Sequence, residues 1–248
     1  MTALRRIALL ITWILATSPL MAQEGAQLDE ILAGVLEANG GPDQIESART
    51  LRVVGKIEAG DIHYDFILLK KRPDKVRVTL RHMGRVIDSG HDGKQAWRQT
   101  RYGNRSEVEI LSPDEASTML NELTFDGPLI GEAPEGSRRY LDGEERIDRV
   151  IYYKVVVESA TTRSTHYIDS RTYRELKTVS ERTLEDGSVR VTTSNYSEYN
   201  RLGSIWLAHR IERVQSDGSS EIIRVEDAQL NPGIFDSAFA IPRASTTD

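Results

Sequence analysis

The chain has no cysteine. That excludes disulfide staples, a thiolate nucleophile and a lipidated residue behind a leader, so stability in an oxidising compartment has to come from packing alone. Catalytic signatures are also missing: there is no Gly-x-Ser-x-Gly elbow, no glycine-rich phosphate loop and no His-Glu-x-x-His. The five histidines are scattered, and although His63 and Asp65 share a strand face, two residues are half a metal site at best. The acidic run Asp142 to Glu145 lacks the alternating ligands of a calcium loop and reads as a solvated turn. No basic cluster occurs, and acidic residues outnumber basic ones 38 to 32, which excludes nucleic acid and simple adsorption to anionic lipid. These absences give no catalytic residues, no metal and no cofactor, and a chain that is not an enzyme. Aromatic residues are few, with only four Phe, so a wide cavity would have to be lined by aliphatic side chains.

What is present begins with a leader. Arg5 and Arg6 precede the apolar run Ile7 to Ala16, followed by Ser18-Pro19-Leu20-Met21-Ala22, which is the layout of a secretory signal over residues 1–22. The run is shorter than the ~20 residues of a spanning helix; an uncleaved anchor is the alternative. Cleavage removes two arginines and takes the net charge from −6 to about −8. The rest, 23–248, reads as one domain, because no linker or repeat divides it.

Leu28, Ile31, Leu32, Val35 and Leu36 form one helical stripe that stops at Asn39-Gly40-Gly41, and Pro42 to Arg49 suits a second short helix. From Leu51 the period becomes two. Val53 and Ile57 share one face; Tyr64, Phe66 and Leu68 share another; Val76, Val78, Leu80 and His82 alternate with Lys75, Arg77, Thr79 and Arg81, an apolar face against a wet one. Trp97 follows an Asp-Gly turn, where packing in a core is the better reading. Ser112-Pro113-Asp114-Glu115 is a capping box opening a helix that carries Ala116, Met119, Leu120 and Leu123 and ends before Phe125. Residues 127–139 are a Gly/Pro-rich loop, read as a flexible rim. Ile151, Tyr153, Val155 and Val157 alternate with residues that are also apolar, which suits a central strand buried on both faces. After Ile168-Asp169-Ser170 the chain returns to hairpins that turn at Asp186-Gly187, Asn200 to Gly203 and Asp217-Gly218.

Asp169 with Thr172-Tyr173, Tyr196 and Tyr199 before Gly203-x-x-Trp206, and the ending Leu230-Asn231-Pro232 with Phe239-x-Ile241-Pro242 occur in an order that resembles the LolA/LolB-like family of periplasmic outer-membrane lipoprotein-sorting proteins. The resemblance implies a mainly β (α+β) fold: a curled antiparallel sheet of about 11 strands forming an incomplete half β-barrel, with helices as lid or plug. It implies a soluble monomer in the periplasm of a Gram-negative cell, holding lipid or lipoprotein acyl chains and exchanging them with inner- and outer-membrane sorting components. Its cavity and lid would be lined by Val53, Phe66, Leu68, Val76, Val78, Leu80, Trp97, Met119, Leu120, Phe125, Ile151 and Tyr153. Arg52, Arg77 and Arg81 are the strand arginines nearest to a lid latch, and none stands out. Two other readings stay open: an envelope sensor or regulatory module of the RseB type, and a binding module without lipid, whose mark would be polar residues on the concave face.

Overall fold

The computed structural model describes residues 19–112, 115–116, 126–133, 135–184 and 186–243, with side chains from residue 25 onward. Helix α1 (Pro19–Ala38) is followed, across Asn39 and Gly40, by α2 (Gly41–Ser47), which carries Pro42 in its first turn. The strands then run β1 (Thr50–Ala59), β2 (Ile62–Lys71), β3 (Lys75–His82), β4 (Arg85–Asp92), β5 (Ala96–Tyr102), β6 (Arg105–Ile110), β7 (Arg138–Ile147), β8 (Val150–Glu158), β9 (Thr162–Asp169), β10 (Glu175–Thr183), β11 (Val189–Leu202), β12 (Ile205–Gln215) and β13 (Ser220–Leu230). Among the described residues thirteen strands stand where about 11 are expected, in one antiparallel sheet ordered β6-β5-β4-β3-β2-β1-β13-β12-β11-β10-β9-β8-β7. Two meanders are thus joined by β1 pairing with β13. The sheet ends at β6 and β7, so it curls without closing into a barrel.

Register assigns every side chain to one of two faces. Val53, Leu68, Val78 and Ser89 are opposite one another across β1 to β4, and this inner face also carries Val76 and Ala96. Both covers sit on it. Ile31 and Val35 of α1 pack with Leu129 on Val155, Val157 and Ile168, and Ala116 packs with Leu111 on Val76 and Ala96. The capping box forms as read, with the Ser112 amide donating to Glu115 Oε2 at 3.0 Å and the Glu115 amide to Ser112 Oγ. Strand β8 is buried on both faces, Val155 and Val156 having no exposure, but it lies next to the β7 edge rather than at the centre.

The outer face of β3 to β5 is not the wet one that the alternation suggests. The last segment of the chain folds back across it and buries Phe239 completely against the equally buried Trp97, whose Nε1 donates to the Phe239 carbonyl at 3.0 Å. Asn231 starts this return: its Oδ1 accepts the Arg49 amide at 2.7 Å and its Nδ2 donates to the Ser47 carbonyl. Arg77 then donates to the Ala238 carbonyl, and Lys71 and Lys75 pair with Asp236. Beneath them Asp88, fully buried, accepts from Thr79, Arg77 and Arg101.

Burial alone would push the Asp88 carboxyl up, but the hydroxyl and the two guanidinium groups outweigh it and hold it below its ordinary value. The hydrogen bonds from Lys71 and Lys75 likewise hold Asp236 down at about 2. A depressed folded-state pKa gives stability that is complete above the unfolded carboxylate value, about 3.9, and is lost as pH falls through the folded value. The urea midpoints of the wild type and Asp88→Asn are therefore expected to differ most at pH 6 and to converge below about pH 4. A gap that stays constant down to pH 2.5 would show that the ionised carboxylate is not what Asp88 contributes.

Candidate functional site: the inner face of the half-barrel

Between its two covers the inner face presents a half-buried aliphatic strip. Ile57 on β1 pairs with Ile223 on β13, Ile223 with Ile211 on β12, and Ile211 with Tyr196 on β11. On the other side Leu80 pairs with Ile87, and Val78 lies beside Leu68. All of these side chains are neither buried nor freely exposed, whereas Val53 and Phe66 at the floor are buried. Gly55 allows this floor to form: it sits at a β-bulge against β13, where a Cβ would stand 1.9 Å from the Arg224 carbonyl oxygen and 2.8 Å from the Phe66 ring.

Toward β9 to β11 the same face turns polar. Ser164, His166, Thr178, Ser180 and Ser194 are linked by register, and Ser164 and Ser180 share a 3.0 Å hydrogen bond. At their centre His166, its side chain 6% exposed, places Nδ1 2.6 Å from Glu175 Oε1. Thr178 donates to the same carboxylate oxygen and lies within reach of the Tyr196 hydroxyl. Tyr199 closes the end of this region by donating to the Glu175 carbonyl at 2.6 Å. Burial raises the pKa of its hydroxyl far above the ordinary range, so it remains a donor.

The turn after β9 positions α1. Asp169 Oδ1 accepts the amides of Arg171 and Thr172, and Tyr173, at a positive φ of 53°, lays its ring against Gly34 of α1, where a Cβ would be 2.4 Å from the ring. Two arginines fasten the segments around the mouth. Arg72 donates to the carbonyls of Ala48 and Ile45 and pairs with Asp126. Arg139 donates to the carbonyls of Gly131 and Glu132 at 2.6 Å each, and burial lowers its pKa. Neither is among the expected strand arginines: Arg52 pairs with Asp227, Arg77 holds the returning segment, and Arg81 is exposed. The 127–139 stretch is correspondingly no free rim, because Leu129 is buried in the α1 core.

Of the residues expected to line the cavity, Val53, Phe66, Leu68, Val76, Val78, Leu80, Ile151 and Tyr153 lie on the inner face. Trp97 does not. It is adjacent to the inward Ala96, so it points to the outer face, where it packs under Phe239 and over Gly90. Met119, Leu120 and Phe125 lie outside the described residues. The polar quarter around His166 is the mark given above for a binding module without lipid, but it covers only β9 to β11 and adjoins the aliphatic strip; its signal in the sequence is the serine and threonine alternation of these strands, which does not say which face turns inward.

No family model matches the sequence, and no curated protein does either. Solved structures do match in shape. A DUF1329 family protein from Desulfovibrio piger aligns with TM-score 0.61 at 14% identity over 86% of this chain and 97% of its own. A domain assigned to outer membrane lipoprotein sorting from Vibrio parahaemolyticus gives 0.59 at 15% over 85% and 94%, and a LolA superfamily protein from Nitrosomonas europaea gives 0.58 at 16% over 86% and 97%. Identity this low carries the fold alone, and with the unclosed, helix-covered sheet on the page the conclusion is that this chain has the LolA-like half-barrel fold.

Proposed function

We propose that the protein is a periplasmic binder or carrier of lipid or lipoprotein acyl chains, which it holds non-covalently on the inner face of the half-barrel. The observation that carries this reading is the half-buried aliphatic strip from Leu80 through Ile57 and Ile223 to Ile211, between the α1 cover and the contact of Leu111 and Ala116 on Val76. Each methylene moved from water onto such a surface gains about 0.8 kcal/mol. A membrane offers the same gain, so transfer between membrane and protein is nearly balanced, and modest differences in how α1 seats decide its direction. No described helix is long and apolar enough to cross a membrane, and the leader-like start of the chain supports export. The partners of this reading are membrane-bound donors and acceptors of acylated cargo.

A fluorescent fatty acid is expected to be taken up by the chain beginning at Gln23. Leu80→Asp, which sets a charge in the strip, is expected to weaken uptake about tenfold or more with an unchanged circular dichroism spectrum. No uptake by the wild type, or equal uptake by a folded Leu80→Asp protein, would remove acyl chains from consideration.

A further inference from the structure

The polar quarter of the inner face carries one group that its own fold leaves unused. His166 Nε2 is buried and has no hydrogen-bond partner among the described residues, although buried polar atoms are nearly always paired. Its state follows from its other nitrogen. Nδ1 lies 2.6 Å from the Glu175 carboxylate, an acceptor, so this contact places the proton on Nδ1 and selects the tautomer in which Nε2 is the acceptor. Thr178 donates to the same carboxylate oxygen, which fixes the carboxylate and, through it, the plane of the ring.

The surroundings define how Nε2 is reached. His166 pairs across the sheet with Val155 and Thr178, and lies two residues from Ile168 on the same face. Val155 and Ile168 are the residues on which Ile31 and Val35 of α1 rest. The α1 cover thus rests on residues that flank His166 on the same face. From β9 to the aliphatic strip at β13 is four strand spacings, or about 19 Å along the sheet. A chain laid across the sheet therefore has an apolar bed at one end and serines, threonines and His166 at the other.

We infer that His166 Nε2 is the head-group anchor of the ligand site, and that it selects amphiphiles bearing a hydrogen-bond donor, an amide N–H or a hydroxyl, next to the acyl chain. This rests on the acyl-chain reading above and adds the polar half of the ligand to it. Glu175 and Thr178 act as positioning residues that hold the acceptor tautomer, and of the three only His166 touches the head group, through Nε2.

Three probes with one acyl chain separate the possibilities: the methyl ester, which has no donor, the N-methyl amide and the monoglyceride. Displacement of the fluorescent fatty acid from the Gln23 chain is expected to show the amide, the monoglyceride or both binding about tenfold tighter than the ester, the worth of one hydrogen bond; which of the two leads identifies the source of the donor. His166→Leu is expected to bring all three within about twofold of one another. Nitrogen-15 spectra of histidine-labelled wild type give a second readout that needs no variant. The Nε2 of His166 is expected to resonate as an unprotonated nitrogen and to shift on adding a donor-bearing probe but not the ester. Equal affinities in the wild type, a preference that survives in His166→Leu, or a protonated Nε2 would each overturn the inference while leaving acyl-chain binding in place. Failure of the fluorescent fatty acid itself to bind would bring down both.

Discussion

Phe239→Ala is expected to cost about 3–5 kcal/mol, the range for truncating a buried phenylalanine where the surroundings cannot collapse. The side chain has no exposure, and it seals Trp97, whose indole nitrogen donates to the Phe239 carbonyl. Trp97 in turn lies over Gly90, where even a Cβ would come within 2.7 Å of the indole, so neither neighbour has room to shift into the space left behind. In a domain of this size a loss of that order lowers the melting temperature by about 6–20 °C. Because Phe239 lies on the outer face and the proposed acyl-chain site on the inner one, the folded fraction of the variant should still take up the fatty acid with the affinity of the wild type. A cost below 1 kcal/mol in urea would show that the returning segment is ornamental, and lost uptake by folded protein would show that the two faces are coupled.

Gly55→Ala is the second large effect, and it acts on the inner face. Its Cβ would fall 1.9 Å from a backbone oxygen of β13, so relief requires β1 and β13 to part where the two meanders join. Overpacking a core against side chains costs roughly 1–3 kcal/mol; with backbone as the obstacle, about 3 kcal/mol or more is expected. The same change should reduce fatty-acid uptake even below the melting temperature, because the floor of the site is made there with Phe66 and Val53. A melting temperature within 2 °C of wild type would mean that the bulge has another way to accommodate a methyl group.

Much of this architecture was legible because local chemistry and tertiary placement agree. The alternation of β3, the stripe Ile31 and Val35, and the capping box at Ser112 each specify a face or a boundary that the fold then uses. The strand count fell short where a turn or strand is weakly marked. The edge strand β6 has little buried on either side, so its alternation is faint, and the turn from β8 to β9 uses Ser159, whose hydroxyl accepts the Thr162 amide, instead of glycine or asparagine. Trp97 points outward, and Arg77 and Thr79 are covered, because the segment that covers them lies some 140–160 residues further along the chain. No periodicity within β3 or β5 carries that information. The inner position of His166 is obscured for a related reason: a bulge at Leu176 breaks the two-residue period in β10, and a bulge exchanges the faces downstream of it.

The motif residues that first suggested the fold turn out to be its joints. Asp169 and Tyr173 set the turn that seats α1, and Asn231 with Phe239 anchors the returning segment. Tyr196 is the exception, because it pairs with Ile211 at the end of the aliphatic strip.

The most direct measurement of the central claim is native mass spectrometry of the Gln23 chain isolated from periplasm without detergent, followed by organic extraction and identification of what is released. The account predicts a bound phospholipid, fatty acid or acylated peptide that is missing from Leu80→Asp. A bare chain mass for the wild type, with nothing apolar in the extract, would contradict it.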